Sequence, residues 1–156
     1  MSKGAREVVS DWLMLLASPI LLLSLFLVWS HQFSPSFLAR YAHFDVLTGV
    51  PRDPNAWQVY SVADVLLAVL ALGLLAVALR GSRAGRVAVL LGLGVALAFV
   101  IHALAVAPTS GANLFDPSLQ PPGYTPNHPR SGAGEVVALI ALVLGTTGVL
   151  VSFTAD

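Results

Sequence analysis

The sequence has no cysteine and very little charge. Of its 156 residues only 10% are charged, against roughly a quarter in an ordinary soluble domain. The absence of cysteine excludes disulfide exchange, thiol nucleophiles and iron–sulfur ligation. Eight basic and eight acidic residues give a net charge of zero, which excludes the basic surplus that nucleic-acid binding requires. So little charge also argues against a soluble globule and against a disordered chain.

Groups that carry common enzyme chemistry are scarce as well. Lys3 is the only lysine, so a Schiff base inside an apolar core has no amine to use. The sequence has no phosphate-binding loop, zinc-protease motif, nucleophile elbow or EF-hand loop. Haem needs two facing histidines, and only His102 lies within an apolar stretch. We therefore expect no cofactor, no metal and no enzymatic activity. An enzyme of unknown type in the outer leaflet is the least favoured alternative.

Apolar residues are abundant instead, at 56% of the chain. A helix needs about 20 predominantly apolar residues to cross the hydrocarbon core of a bilayer. Four stretches meet this requirement, and two long loops separate the first from the second and the third from the fourth. The spans cover about residues 12–30, 61–80, 86–107 and 135–154, and the loops cover 31–60 and 108–134. The predicted fold is all-α: a single integral membrane four-helix bundle over residues 1–156.

The distribution of basic residues predicts the orientation of this bundle. Five of the eight precede the first span or lie in the short link between the second and third: Lys3, Arg6, Arg80, Arg83 and Arg86. Basic residues concentrate on the cytoplasmic side, so both termini should be cytoplasmic and both long loops external, in a multi-pass protein of the cell (inner or cytoplasmic) membrane. The first span starts like a signal peptide. Its apolar run is too long for one and contains Pro19, which favours an uncleaved helix.

Local patterns predict helix ends and packing faces. Ser61 and Asp64 fit a capping box for the second span, and Arg80-Gly81 fits its end. Small residues recur along the third and fourth spans: Ala88, Gly92 and Ala96, then Gly94 and Ala98 leading to His102, and Ala138, Ala141, Gly145 and Gly148. Such residues let helices approach closely in lipid. The alternative is that alanine and glycine are simply frequent in this chain.

The external loops carry aromatic and proline residues. Ser34-Pro35 suits a helix start, and Phe37, Tyr41 and Phe44 follow at helical spacing, which predicts a short amphipathic helix on the outer bilayer surface. Trp29, Trp57 and Tyr60 should lie at the outer interface. The second loop is rich in proline, as expected for a stiff connector or for a surface that binds a partner.

Three ionisable residues form the one candidate site. Asp64, His102 and Glu135 should lie near the same external depth and on the small-residue faces of their spans. If these faces meet, two carboxylates and an imidazole converge into a proton or cation site. Alternatively, all three serve folding. Asp64 then caps its helix, Glu135 complements the helix dipole, and His102 hydrogen-bonds one of them.

One segment and the overall layout carry a resemblance. The segment is Ala56-Trp57-Gln58-Val59-Tyr60-Ser61-Val62-Ala63-Asp64-Val65-Leu66-Leu67-Ala68, which follows Trp29 and precedes an arginine-rich turn. The chain resembles small uncharacterised four-span membrane proteins of high-GC bacteria. That resemblance implies four spans and transfers no catalytic residues, because the family has no assigned chemistry.

Two functions from different classes follow. The favoured hypothesis is a non-catalytic structural or accessory protein, whose partners are the lipid bilayer and a larger membrane complex or a second copy of the chain. The alternative is a small transporter or ion-linked channel that uses Asp64, His102 and Glu135. A wide apolar groove on the outer part of the bundle would instead indicate a lipid or another hydrophobic ligand.

Overall fold

The computed structural model describes residues 2–43, 47, 49–108, 123 and 127–154. Phe44 and most of the proline-rich loop therefore lie outside the described residues. In chain order the elements are α1 (Lys3–Ser24), β1 (Ser30–His31), α2 (Pro35–Tyr41), α3 (Ala56–Val59), α4 (Ala63–Arg80), α5 (Arg83–Ala105), β2 (Arg130–Ser131) and α6 (Ala133–Phe153). By length and composition, α1, α4, α5 and α6 could each cross a membrane. The prediction of four long apolar helices is confirmed.

Helix α1 differs from the first apolar stretch at both ends. It begins at Lys3 because the Ser2 hydroxyl accepts a hydrogen bond from the Ala5 backbone N–H and caps the first turn. It ends at Ser24, although the apolar run continues to Trp29. Beyond Ser24 the chain leaves the helix, and its backbone forms hydrogen bonds with other segments. The backbone N–H of Trp29, for example, donates to the Pro54 carbonyl at 2.9 Å.

The four long helices form a closed ring of neighbours. Helix α1 packs against α6 and α4, and α5 packs against the same two helices. Helices α1 and α6 are antiparallel, since Arg6 near the start of α1 bonds to the Thr154 carbonyl at the end of α6, and the short turn makes α4 and α5 antiparallel as well. The same end of the bundle holds the turn between α4 and α5. Both ends of the described chain thus share one end of the bundle with this turn.

The turn between α4 and α5 follows the sequence prediction. Helix α4 ends at Arg80, and Gly81 adopts a left-handed conformation with φ of 62°, which favours glycine. The Ser82 hydroxyl then accepts a hydrogen bond from the Gly85 N–H and caps α5. Two residues therefore suffice to reverse the chain.

Small residues hold the centre of the bundle together. Ala138, Ala141, Gly145 and Gly148 of α6 are all buried, as predicted. Two serines of α1 add interhelical hydrogen bonds, Ser10 to the Gly148 carbonyl at 2.9 Å and Ser18 to the Ala71 carbonyl at 2.8 Å. Polar side chains commonly join helices in this way within apolar bundles.

Helix α2 begins as predicted, with the Ser34 hydroxyl accepting from the Phe37 N–H and Pro35 at the first helical position. Its aromatic face is covered by protein. Phe37 and Tyr41 are buried in a small cluster with Phe33, which lies just before the helix. Rings of Phe33 and Phe37 stack with centroids 5.8 Å apart. The aromatic spacing thus serves local packing.

Candidate functional site

A hydrogen-bonded cap covers the end of the bundle opposite the α4–α5 turn. We use the term cap for residues 28–32, 52–55 and 130–132. The first segment pairs on both sides: β1 is antiparallel to β2, and Val28 forms a bridge with Asn55. Two further backbone hydrogen bonds, both 2.9 Å long, complete the cap. The Gln32 N–H donates to the Arg52 carbonyl, and the Gly132 N–H donates to the Trp29 carbonyl. Parts of both long loops are thereby joined over the bundle.

Polar side chains of the cap bond mainly to the cap and to adjoining backbone. Gln32 is buried, and its side-chain amide donates to the Ser30 hydroxyl at 2.7 Å and to the Pro108 carbonyl at 2.8 Å. The Asn127 side chain donates to the Gln32 carbonyl and accepts from the Ser34 N–H. These bonds give the segment a defined structure.

An aromatic layer lies directly beneath the cap. Trp29 is fully buried, and its indole N–H donates to the Ser24 carbonyl at 2.7 Å. Tyr60 meets Trp29 edge-on with ring centroids 5.8 Å apart, and Phe99 of α5 meets Tyr60 at 5.1 Å. The chain folds back over Trp29, so its ring is enclosed by protein, and its depth at the outer membrane interface stays a prediction. A glycine at position 134 makes room for the indole.

Glu135 lies in the first turn of α6, next to this aromatic layer. Its exposed fraction is 0%, and among the described residues neither carboxyl oxygen has a hydrogen-bond partner. An ionised carboxylate without partners in such a place costs several kcal/mol. Tyr60 is close enough to be affected by it. Burial, and secondly the charge that Glu135 carries when ionised, raises the pKa of Tyr60 to about 12.

Asp64 is also buried, with an exposed fraction of 3%, on the inward face of α4. Its Oδ1 accepts a hydrogen bond from the Val65 N–H at 2.8 Å. The predicted capping box with Ser61 is wrong, since α4 begins at Ala63 with Val62 as N-cap and without a side-chain cap. A capping box forms one short helix earlier, where Asn55 and Gln58 bond reciprocally at the start of α3.

His102 lies apart from the two acids. Its side chain is exposed on α5, whereas the inward face of that helix carries Phe99, Val100 and Ala103. No hydrogen bond or ion pair in the described residues joins any two of Asp64, His102 and Glu135, and no group of three metal-binding side chains occurs there. The structure therefore buries two of the predicted site residues and leaves the third on the outer surface of the bundle.

The remaining external histidines also lie outside any buried site. His31 Nδ1 lies 2.6 Å from Asp53 Oδ1 on the exposed face of the cap. His43 and His128 are exposed. Asp45, the other acid near them in sequence, lies outside the described residues.

An apolar groove runs between α4 and α5 in the half of the bundle nearest the cap. Its volume is about 410 Å³, and apolar side chains and one glycine line it: Ala63, Leu66, Leu67, Val69, Leu70, Gly92, Val95, Ala96 and Phe99. The groove opens to the side of the bundle, since Leu66, Val69 and Val95 are exposed. In the sequence, only the small residues Gly92 and Ala96 indicated this groove. The width of a groove depends on the separation of two helices, which no local sequence pattern gives.

Comparison with known proteins returned no match. No family model, no curated protein sequence and no solved structure matches the chain. Functional inference therefore rests on the cap, the buried acids and the groove.

Proposed function

We propose that this chain is a non-catalytic accessory protein of the bacterial inner membrane and that it binds one transmembrane helix of a larger complex. Its helices α1, α4, α5 and α6 cross the membrane. The orientation has the two chain ends and the α4–α5 turn in the cytoplasm. The basic residues support this orientation. Five of them lie at the end of the bundle that holds the turn: Lys3, Arg6, Arg80, Arg83 and Arg86. Accumulated basic residues remain on the cytoplasmic side of a membrane. A tag after Asp156 that antibodies reach from outside intact cells would contradict this topology.

The observation that carries the proposal is the apolar groove between α4 and α5. Lipid gives no hydrophobic force between helices, so they associate where small side chains permit close approach. Gly92 and Ala96, four residues apart on α5, and Ala63 on α4 supply such side chains in the groove. The groove has no ionisable side chain in its lining. An apolar lining alone suits a lipid chain as well as a helix, but the small residues that allow close approach favour a helix, so an apolar helix is the occupant that we propose.

Two glycines of α5 give a matched pair of variants. A Cβ at Gly92 would lie 3.0 Å from Cδ1 of Leu70, so a longer side chain there displaces Leu70 and fills the groove, whereas a Cβ at Gly94 would meet nothing within 4 Å. We expect Gly92→Leu to abolish association with the partner and Gly94→Leu to retain it. Since the chain has no cysteine, single cysteines at Val69 and Val95 and a control at Ile140 of α6 allow position-specific cross-linking in native membranes.

The supporting result is one defined membrane protein that cross-links from both groove positions, not from Ile140, and is lost in Gly92→Leu alone. Two results would overturn the proposal. One is equal cross-linking from all three positions. The other is a stoichiometric lipid in mass spectra of the gently purified protein, displaced by Gly92→Leu, with no protein partner.

A second candidate function is ion-linked transport by Asp64, His102 and Glu135. The observation in its favour is Glu135, whose buried carboxyl group has no partner among the described residues. Purified protein in liposomes with an internal pH-sensitive dye tests it directly. Transport requires a proton or cation flux that Glu135→Gln abolishes and that the surface variant His43→Ala leaves intact. Liposomes that stay as tight as protein-free vesicles would exclude this function.

A further inference from the structure

We propose that Glu135 is a single-proton binding site that holds the cap closed, and that loss of its proton opens the cap. The inference is independent of the partner helix proposed above. It starts from the two carboxyl oxygens of Glu135, which have no solvent exposure and no hydrogen-bond partner in the described residues. A negative charge in that position lacks both water and a counter-charge, so the closed arrangement suits the neutral acid.

The cap determines whether water reaches this carboxyl group. Gly134, the residue before Glu135, donates its N–H to the Val28 carbonyl at 2.7 Å, and Gly132 donates to the Trp29 carbonyl. The Trp29 indole lies against Gly134. The start of α6 is thus attached to the first cap segment by two backbone bonds and one aromatic contact. We infer that water hydrates an ionised Glu135 when these contacts separate.

Charged and titratable groups around Glu135 do not compensate an ionised carboxylate. On the loop before α4, Tyr60 is a neutral phenol, and its pKa of about 12 keeps it neutral. On α4, Asp64 is an acid and supplies no positive charge. On α5, His102 is exposed, away from the inward face. In the cap, Arg130 and His31 are exposed, and His31 bonds to Asp53. The charged residues of α1 lie at the opposite end of the bundle.

Linkage fixes the direction of the effect. The open cap allows Glu135 to ionise, so the open form releases the proton and gains population as pH rises. One proton changes the ratio of open to closed forms by at most about tenfold per pH unit. At low pH the neutral acid is retained and the cap stays closed. No metal, redox partner or covalent step is involved.

Trp29 reports on the state of the cap. It is fully buried under the cap, whereas Trp12 and Trp57 have exposed fractions of 60% and 40% and can be replaced by phenylalanine at little cost. In this single-tryptophan protein in lipid nanodiscs, we expect the Trp29 emission to shift to the red and acrylamide quenching to increase between about pH 5 and about pH 9. Glu135→Gln should remove this change and keep the emission of the closed form. Asp64→Asn, which alters the other buried acid, should retain it.

Infrared spectroscopy of the same proteins measures the proton itself. A carbonyl-stretch band of a protonated carboxylic acid should be present in the wild type at low pH, disappear as Trp29 becomes exposed, and be absent in Glu135→Gln. The inference is wrong if the band persists in Glu135→Gln, or if it disappears with pH while Trp29 stays buried. It is equally wrong if Asp64→Asn, and not Glu135→Gln, removes the pH dependence.

If Glu135→Gln does not fold, hydrogen exchange of residues 28–32 in the wild type tests the proposal instead. Protection that does not depend on pH, after correction for intrinsic exchange rates, overturns the proposal.

Discussion

Two seams of the bundle, both between antiparallel neighbouring helices, are packed very differently. Between α1 and α6, Gly145 and Gly148 are buried, and a Cβ at Gly148 would lie only 2.9 Å from Met14 and 3.1 Å from the Ser10 carbonyl oxygen. Between α4 and α5, the helices leave the apolar groove, which opens to the side of the bundle. The α4–α5 pair is joined by a two-residue turn, whereas α1 and α6 are far apart in sequence. A short connection therefore does not produce a tight seam. At the tight seam, a glycine of α6 lets Met14 and the Ser10 backbone of α1 approach closely.

The cap continues the tight α1–α6 side, and replacing Gly132 should break it most severely. A Cβ at Gly132 would overlap the Val28 carbonyl oxygen, which is backbone and cannot move aside. We expect Gly132→Ala to destabilise the protein by about 3 kcal/mol, as overpacking against a fixed neighbour does. Thermal unfolding in detergent, followed by circular dichroism, measures this.

Gly94→Ala is the control for this variant. Nothing lies within 4 Å of a Cβ at that position, and alanine favours a helix interior over glycine by roughly 0.5–1 kcal/mol. Gly94→Ala should therefore leave stability unchanged or slightly higher. Equal unfolding temperatures for Gly132→Ala and the wild type would mean that the cap does not close on Val28.

A pair of glycine variants compares the two seams directly. Gly148→Ala should cost about 2 kcal/mol, because its Cβ would meet Met14, Leu13 and the Ser10 carbonyl oxygen together. Gly73→Ala on α4 would meet a single side-chain atom, Cγ2 of Val89 at 3.3 Å, and should change stability by less than about 0.5 kcal/mol. The measurement is again thermal unfolding in detergent. Similar losses in the two variants would mean that the seams are equally tight.

Ser18 tests the seam between α1 and α4, which falls between these extremes. Ser18→Ala removes the hydrogen bond to the Ala71 carbonyl and should cost about 1 kcal/mol. Thr147→Ala is the control, because Thr147 is exposed and its hydroxyl bonds to the Val143 carbonyl within its own helix. If both variants lose the same amount of stability, the interhelical hydrogen bond of Ser18 stabilises the protein no more than a hydrogen bond within one helix.

Tyr60 should give the smallest effect, and only at alkaline pH. Its phenol is protonated in the folded protein up to a pKa of about 12, against an ordinary value of 10.0. The stabilisation from this raised pKa is complete below pH 10 and is lost as pH rises toward about 12. Because the wild-type cap opens when Glu135 ionises, the test uses Glu135→Gln, in which the cap stays closed. Denaturant unfolding across this range should show a smaller alkaline loss of stability when Tyr60→Phe is added to that variant. Identical curves would place the ring in water.

Sequence patterns predicted the features that depend on neighbouring residues. Gly81 ends α4 because its left-handed conformation suits glycine, and Ser34-Pro35 starts α2 because both residues suit the first turn of a helix. The capping box at Ser61 was predicted wrongly. The box requires the serine at the N-cap, and α4 begins one residue too late for it.

For the candidate site, the sequence predicted the acids better than the histidine. Asp64 and Glu135 begin the inward faces of α4 and α6, as the spacing of small residues indicated. His102 was assigned to an inward face because Gly94 and Ala98 precede it at four-residue spacing. That stripe points away from the bundle in the structure, since a second face of α5 carries the buried residues Leu93, Ala96 and Val100. Both faces are apolar, so hydropathy alone cannot distinguish them.

The sequence by itself determined that four apolar helices form, where most of them end, and which residues are ionisable. These properties depend on composition and on contacts within a few residues along the chain. Only the tertiary structure decided that Trp29 is buried under the cap, that Glu135 lies beside it without a partner, and that α4 and α5 leave a groove. Each of these depends on segments that meet from distant parts of the sequence. Residues 28, 55 and 132 have no local pattern that predicts their pairing, because the bonds that join them are formed by backbone groups that every residue has.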